Sequence, residues 1–306
     1  MTSPVNRRLF VSALATIALA ACTRENPAGA PAAATSGSAG SSAAAAAPKA
    51  AGPLTVKGSD TMVGLSQKWA EVYMNGHAGT SIQVTGGGTG TGIAALINGA
   101  TDLCNASRPL SDKEKIDIKA KRGVDAVETK VALDALAVYV NDKSPVTEID
   151  LETLAQIYLG NLTDWKDVPG GKAHKITLYG RENNSGTYGY FKEHVLAKKD
   201  FAPEVQTLSG TAAVANAVKG DEFGIGYGGV AYASGIRLLK VKKTKADPAI
   251  EPKKETAIDG TYPISRFLYI DTAGAPTGTA KLFIDWMLSD AGQKVVDDIG
   301  YFPLPK

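Results

Sequence analysis

Val131-Ala132-Leu133-Asp134-Ala135-Leu136-Ala137-Val138-Tyr139-Val140 reads as one long apolar strand, and Tyr262-Pro263-Ile264-Ser265-Arg266-Phe267-Leu268-Tyr269-Ile270 reads as another. Between them lie about 120 residues of mixed α/β pattern. The two runs are therefore expected to be crossings between two α/β domains. Residues 54–134 plus 263–306 would form the first domain and residues 135–262 the second. The apolar helix around Phe283, Trp286 and Met287 is expected to return to the first domain. Two domains joined by two strands make a clam that opens and shuts.

Upstream of the first crossing, strands and helices alternate. Leu54-Thr55-Val56-Lys57 reads as a strand that runs through Gly58-Ser59-Asp60-Thr61 into a helix. That helix carries Met62, Leu65, Trp69, Val72 and Tyr73 on one face, with Ser59 or Asp60 expected as its N-cap. Ser81-Ile82-Gln83-Val84 is the next strand, and a glycine loop then opens a short helix through Ile93, Leu96 and Ile97 that stops at Asn98-Gly99. Ser111-Asp112-Lys113-Glu114 is a capping box opening a third, polar helix. This rhythm predicts a mostly parallel sheet with helices on its faces.

The N-terminus gives an address. Arg7-Arg8, the apolar run Leu9–Leu19 and a small-residue end describe an export signal, too short to span a bilayer as a permanent helix. Asn6-Arg7-Arg8-Leu9-Phe10 is also compatible with twin-arginine export. The run ends in Leu19-Ala20-Ala21-Cys22, which resembles the bacterial lipobox and makes Cys22 the expected lipidation site after removal of residues 1–21. Residues 22–53 are then a lipid-anchored linker: 23–53 are almost wholly Ala, Gly, Pro, Ser and Thr, with little to bury. Such a tether has a root-mean-square reach of about 30 Å. The expected location is extracytoplasmic, facing the periplasm or the cell exterior and held near a membrane.

The 306 residues suffice for one large domain or two medium ones. With 33 Lys+Arg against 31 Asp+Glu there is no basic field for nucleic acid, so no nucleic-acid partner is expected. Two cysteines cannot make a disulfide framework, and Cys104, beside Leu103 in an apolar strand, reads as a buried thiol. His77, His174 and His194 stand alone without metal-ligand spacing, so no metal is expected. There is no P-loop, and neither G-x-S-x-G nor S-x-x-K occurs in the body. Gly90-Thr91-Gly92-Ile93-Ala94-Ala95 fits G-x-G-x-x-A, but its helix is only about two turns long and the chain is exported, which disfavours a dinucleotide cofactor.

Three strand-to-helix junctions carry small, hydroxylated, glycine-bearing loops. They are Gly58-Ser59-Asp60-Thr61, Gly86-Gly87-Gly88-Thr89-Gly90-Thr91-Gly92 and Arg181-Glu182-Asn183-Asn184-Ser185-Gly186-Thr187. The first turn of a helix leaves N–H groups unpaired and carries partial positive charge, so an anion fits there. Glycine lets the backbone approach a ligand, and Ser and Thr hydroxyls add donors. Arg181 supplies a planar two-pronged contact to an oxyanion. Two such loops on the first domain and one on the second suggest a single anion held between them.

From about residue 54 to its end, the chain resembles the substrate-binding proteins of bacterial phosphate ABC transporters. Arg181 with Ser185-Gly186-Thr187 matches that family's Arg…Ser-Gly-Thr phosphate loop. Ile157-Tyr158-Leu159-Gly160…Trp165, Gly224-Ile225-Gly226-Tyr227 and Gly300-Tyr301-Phe302-Pro303-Leu304 match further segments. The resemblance implies a type II periplasmic-binding-protein fold, two α/β domains joined by two hinge strands. It also implies a phosphate-binding set of Ser59, Asp60, Thr61, the Met62 N–H, Thr89, Ser107, Arg108, Arg181, Ser185, Gly186 and Thr187. Ala106-Ser107-Arg108-Pro109 stands where the better-studied branch has an aspartate that accepts the phosphate proton, so Asp60 is the candidate for that role here, with N-capping as its plain alternative.

The implied function is extracytoplasmic binding of inorganic phosphate and its delivery to a membrane ABC permease, by a monomer with no catalytic residues and no cofactor. The alternatives are binding of another tetrahedral oxyanion such as sulfate or molybdate, phosphate sensing without transport, and an exported phosphate-ester hydrolase. The last would need a metal cluster or an activated nucleophile, and the sequence offers neither.

Overall fold

The structure is a computed structural model and describes residues 52–305. The expected signal segment, the Cys22 lipidation site and nearly all of the linker lie outside the described residues. The first stretch alternates as the pattern predicts: β1 (Leu54–Gly58), α1 (Val63–Gly76), β2 (Ile82–Thr85), α2 (Thr89–Ile97), β3 (Leu103–Ala106) and α3 (Asp112–Arg122). β1 lies between β2 and β3 and is parallel to both. The capping box forms at Ser111 and Glu114, and Gly123 ends α3 in the left-handed conformation.

β4 (Ala126–Val140) follows, and every residue from Val131 to Val140 is buried. The second stretch comprises β5 (Glu148–Asp150), α4 (Leu151–Tyr158), β6 (Thr177–Arg181), α5 (Gly186–His194), β7 (Gln206–Leu208), α6 (Thr211–Gly220), β8 (Gly224–Gly229), β9 (Arg237–Leu238), β10 (Lys240–Lys242) and α7 (Lys254–Ile258). β11 (Ser265–Ala273), α8 (Gly278–Leu288) and α9 (Asp290–Ile299) complete the chain.

β4 organises the sheet. Its residues Ala126–Ala135 pair antiparallel with β11, and Leu136–Val140 pair antiparallel with β8. The nine-stranded order is β2-β1-β3-β11-β4-β8-β6-β7, with β9 also on β4. The parallel strands β2, β1 and β3 lie to one side of the crossing, and β8, β6 and β7 to the other. The second crossing is shorter than the sequence pattern suggests. Tyr262-Pro263-Ile264 precede β11, because Pro263 has no N–H to give a strand ladder. They still run beside the first crossing: Leu136 N–H donates to the Ile264 carbonyl at 3.0 Å, and Tyr262 Oη to the Leu136 carbonyl at 2.9 Å.

Each side has its own apolar core. Trp69, Leu65, Tyr73, Leu268, Phe283 and Met287 pack together on the first side. Tyr158, Trp165, Phe191, Ile225 and Tyr227 pack together on the second. The return of the C-terminal helices to the first side is fixed by polar ties as well as by burial. Trp69 Nε1 donates to the Gly292 carbonyl at 2.8 Å, and Gln293 Nε2 donates to the Val131 carbonyl at 2.9 Å. A third cluster under α2 and α3 holds Cys104, Ile93, Leu110 and Ile118, so the thiol is buried as its strand pattern predicts.

Candidate functional site

The N-termini of α1, α2, α5 and α6 meet where the two sides of the sheet face each other. Three of these four helices lack a side-chain cap: Met62, Gly88 and Gly210 stand at the cap positions of α1, α2 and α6. α5 alone is capped, its Ser185 hydroxyl accepting from the Tyr188 N–H. Helix ends left this way present N–H donors and partial positive charge.

The structure corrects the capping expected of Ser59 or Asp60. α1 starts only at Val63, and Asp60 points away from its turn. Asp60 Oδ1 accepts from the Gly87 N–H at 2.7 Å, and Oδ2 from Arg181 Nη2 at 3.0 Å. Its carboxylate thus joins the first two loops to β6 on the other side. Ser59 is buried in the same turn, with its N–H on the Asn105 carbonyl.

Hydroxyls cluster beside this link. Thr61 Oγ1 lies 2.8 Å from Thr187 Oγ1 and 3.3 Å from Thr211 Oγ1. Thr89 Oγ1 lies 3.3 Å from Ser107 Oγ and accepts from the Ser107 N–H at 3.2 Å. A Cβ added to Gly186 would stand 2.4 Å from Thr89 Oγ1 and 2.5 Å from Ser107 Oγ, so only glycine allows this approach. Thr61, Thr89, Ser107, Arg181, Ser185 and Thr187 are all at most 3% exposed. The 86–92 and 181–187 loops also bond directly: Gly90 N–H donates to the Asn184 carbonyl at 2.8 Å, and Asn184 Nδ2 donates to the Gly87 carbonyl at 2.9 Å.

The first loop is held from behind by two tyrosines. Tyr301 Oη donates to the Thr61 carbonyl at 2.7 Å and Tyr232 Oη to the Asp60 carbonyl at 2.9 Å. Burial pushes the Tyr232 hydroxyl up to about 12, so it stays a donor at neutral pH. Glu182 accepts from Arg181 Nε and from the Gly210 N–H, both at 3.1 Å. Burial raises its carboxyl, but backbone and Ser209 donors and the Arg181 charge outweigh that and leave it below the usual range.

Two expected residues are placed differently. The Arg108 guanidinium is gripped by Glu114 at 2.8 and 2.7 Å, and it lines a surface cleft of about 800 Å³ with His194, Lys198 and Arg266. Burial raises Glu114, but donors from Arg108 and Ser111 more than offset it, so this pair is ionised and Arg108 is engaged away from the hydroxyls. The Met62 side chain is in the core and its N–H donates to the Ser59 carbonyl at 3.1 Å.

Three further residues at the site lie outside the expected binding set. Thr211 accepts from Arg181 Nη1 at 2.7 Å. Its signal was present: Leu208-Ser209-Gly210-Thr211 is a fourth small, hydroxylated, glycine-bearing strand-to-helix junction. Arg266 and Asp134 form a buried pair, Arg266 Nε and Nη2 lying 3.0 and 2.9 Å from Asp134 Oδ2. Each is the lone charge in its apolar crossing run, and the strand register sets the two opposite each other. Burial pushes the Asp134 carboxyl up, opposed by Arg266 and the Val230 N–H.

This architecture, with helix N-termini from two half-sheets meeting over paired crossings, is that of the type II periplasmic binding proteins. The sequence profile of the PBP superfamily domain matches residues 43–291. The phosphate-binding protein PstS of Pseudomonas aeruginosa is 34% identical over 277 residues, covering 83% of this chain and 84% of its own. PstS of Bacillus subtilis is 33% identical over 257 residues, covering 84% of this chain and 82% of its own. A crystal structure from Clostridium perfringens with bound phosphate, assigned to a phosphate ABC transporter as its substrate-binding protein, superposes with a TM-score of 0.74 at 26% identity. It covers 83% of this chain and 100% of its own. An ABC-type phosphate transport receptor from Vibrio cholerae gives 0.67 at 26% identity, covering 82% of this chain and 100% of its own. The chain belongs to the PstS family of phosphate-binding proteins within the PBP superfamily.

Proposed function

We propose that the chain binds inorganic phosphate outside the cytoplasm, between two domains, and delivers it to an ABC-type permease for import. The observation that carries this is the meeting of Thr61 and Thr89 from one side of the sheet with Arg181, Ser185, Gly186 and Thr187 from the other, all buried. Buried hydroxyls, helix-end N–H groups and a guanidinium replace the water contacts that a desolvated oxyanion gives up. The domains are residues 54–134 with 263–306, and 135–262, and they close about the crossings at Leu136 and Ile264. Closing marks the loaded form for the permease. The working unit is a monomer, anchored through lipidated Cys22.

Asp60 is the proton acceptor in this account. Near neutral pH phosphate keeps a proton and sulfate has none, so a carboxylate favours the first and repels the second. Each Asp60 oxygen already takes one bond, from Gly87 or Arg181, and has a lone pair left. Titration calorimetry with phosphate, sulfate and arsenate tests the function: phosphate binds and sulfate does not. In Asp60→Asn, phosphate weakens and the discrimination against sulfate falls; unchanged values would remove Asp60 from the role. Incubation with a chromogenic phosphate ester, with and without added metal, should give no turnover, since a binding protein needs none.

A further inference from the structure

Arg266 comes from β11 and is 4% exposed. Its side chain reaches three segments at once. Nε and Nη2 grip Asp134, its neighbour in register on β4. Nη1 donates to the Ser107 carbonyl at 3.0 Å, and Nη2 also donates to Thr187 Oγ1 at 3.0 Å. The first two partners lie on its own side of the sheet, whereas Thr187 lies in the first turn of α5 on the other.

A guanidinium can only donate, so Thr187 Oγ1 must accept from it. The single hydroxyl proton of Thr187 then points elsewhere, toward the face where Thr61 Oγ1 stands 2.8 Å away. A free threonine hydroxyl turns either a proton or a lone pair toward a ligand. This one is left with a proton to offer, the polarity that an oxyanion requires. The Asp134 grip keeps the fork in place, because both groups sit on adjacent strands rather than on loops.

We propose that Arg266 is a positioning residue of the anion site, acting through Thr187 by fixing that hydroxyl as a donor. This rests on the phosphate-binding reading above. A purely structural salt bridge would change stability but would not couple to one hydroxyl.

The test is a double-mutant cycle read by phosphate calorimetry on the full chain, with the unfolding temperature of each unliganded variant measured alongside. Arg266→Lys keeps the charge but not the fork, and should weaken phosphate binding by about tenfold, as should Thr187→Val. In the Thr187→Val background Arg266→Lys should cost little more, while Thr187→Ser, which keeps the hydroxyl, should retain the full sensitivity of about tenfold to Arg266→Lys whatever its own affinity. Should Arg266→Lys not fold, the paired Asp134→Asn, Arg266→Gln variant removes both charges together and takes its place with the same expectations. Multiplying effects of the two sites, or wild-type affinity in Arg266→Lys, would overturn the positioning role alone. No phosphate binding by the wild type would overturn the phosphate reading and this role with it.

Discussion

Two buried arginines stand on either side of Thr61, and they are built alike. Arg181 holds Asp60 and donates to the Thr211 hydroxyl; Arg266 holds Asp134 and donates to the Thr187 hydroxyl. Both threonines approach Thr61 Oγ1. The difference is in what each pair connects. Arg181 and Asp60 come from opposite sides of the sheet, and the Asp60 side chain is 19% exposed. Arg266 and Asp134 are strand neighbours at the crossing, and Asp134 is wholly buried. In the closure proposed above, the first pair is a latch that parts when the two sides separate and whose guanidinium the ligand shares. The second is a fixed mount. The same chemical fork therefore serves closure in one place and alignment in the other.

The largest effect is expected at the latch. Arg181→Ala removes the charged donor and leaves the anion short of a partner, so phosphate affinity should fall by about thirtyfold to several thousandfold, or about 2–5 kcal/mol. Calorimetry giving near-normal affinity would erase the distinction between the two pairs.

Another buried carboxylate sharpens the role of the mount. Asp271 is as buried as Asp134 but has no guanidinium, and neither of its oxygens has a hydrogen-bond partner among the described residues. Burial holds its carboxyl well above the usual range, reinforced by Glu128 and opposed by Arg108. The folded chain thus keeps a proton that the unfolded chain releases at an ordinary carboxylate pKa. Stability is therefore lost as pH rises above that value, up to the raised folded value. Asp271→Asn cannot ionise, so relative to wild type it should gain about 1–3 kcal/mol between pH 4 and pH 8. Denaturant unfolding at both pH values measures this, and a constant difference would mean that Asp271 is not neutral in the fold.

The smallest effect is expected at Thr211. Thr211→Val takes away one hydroxyl that Arg181 orients, at about 1 kcal/mol or roughly fivefold in phosphate affinity. A loss as large as that of Arg181→Ala would mean that the latch works chiefly through this threonine.

The sequence made the sheet and the loops legible for different reasons. An apolar run as long as 131–140 has few uses other than a fully buried strand, and β4 is one. Glycine-hydroxyl loops at strand ends announced three of the helix ends, because closely approaching backbones demand glycine. Thr211 escaped because its junction has neither the glycine run of residues 86–92 nor a charged or amide residue like those of the other two loops. Asp134 and Arg266 escaped because a single charge within an apolar run shows no partner until the strands are in register. Asp60 was legible as polar and well placed, but a capping carboxylate and a cross-loop one have the same local sequence. Arg108 was drawn away by Glu114, six residues on, an attraction that competes with any anion.

A crystal structure of the chain grown with phosphate bears most directly on the central claim. One anion should sit with its oxygens within hydrogen-bond distance of Arg181, Thr61 and the Ser185–Thr187 turn, with Asp60 placed to take its proton. An anion bound elsewhere, with Thr61 and Thr187 still bonded to each other, would contradict the account.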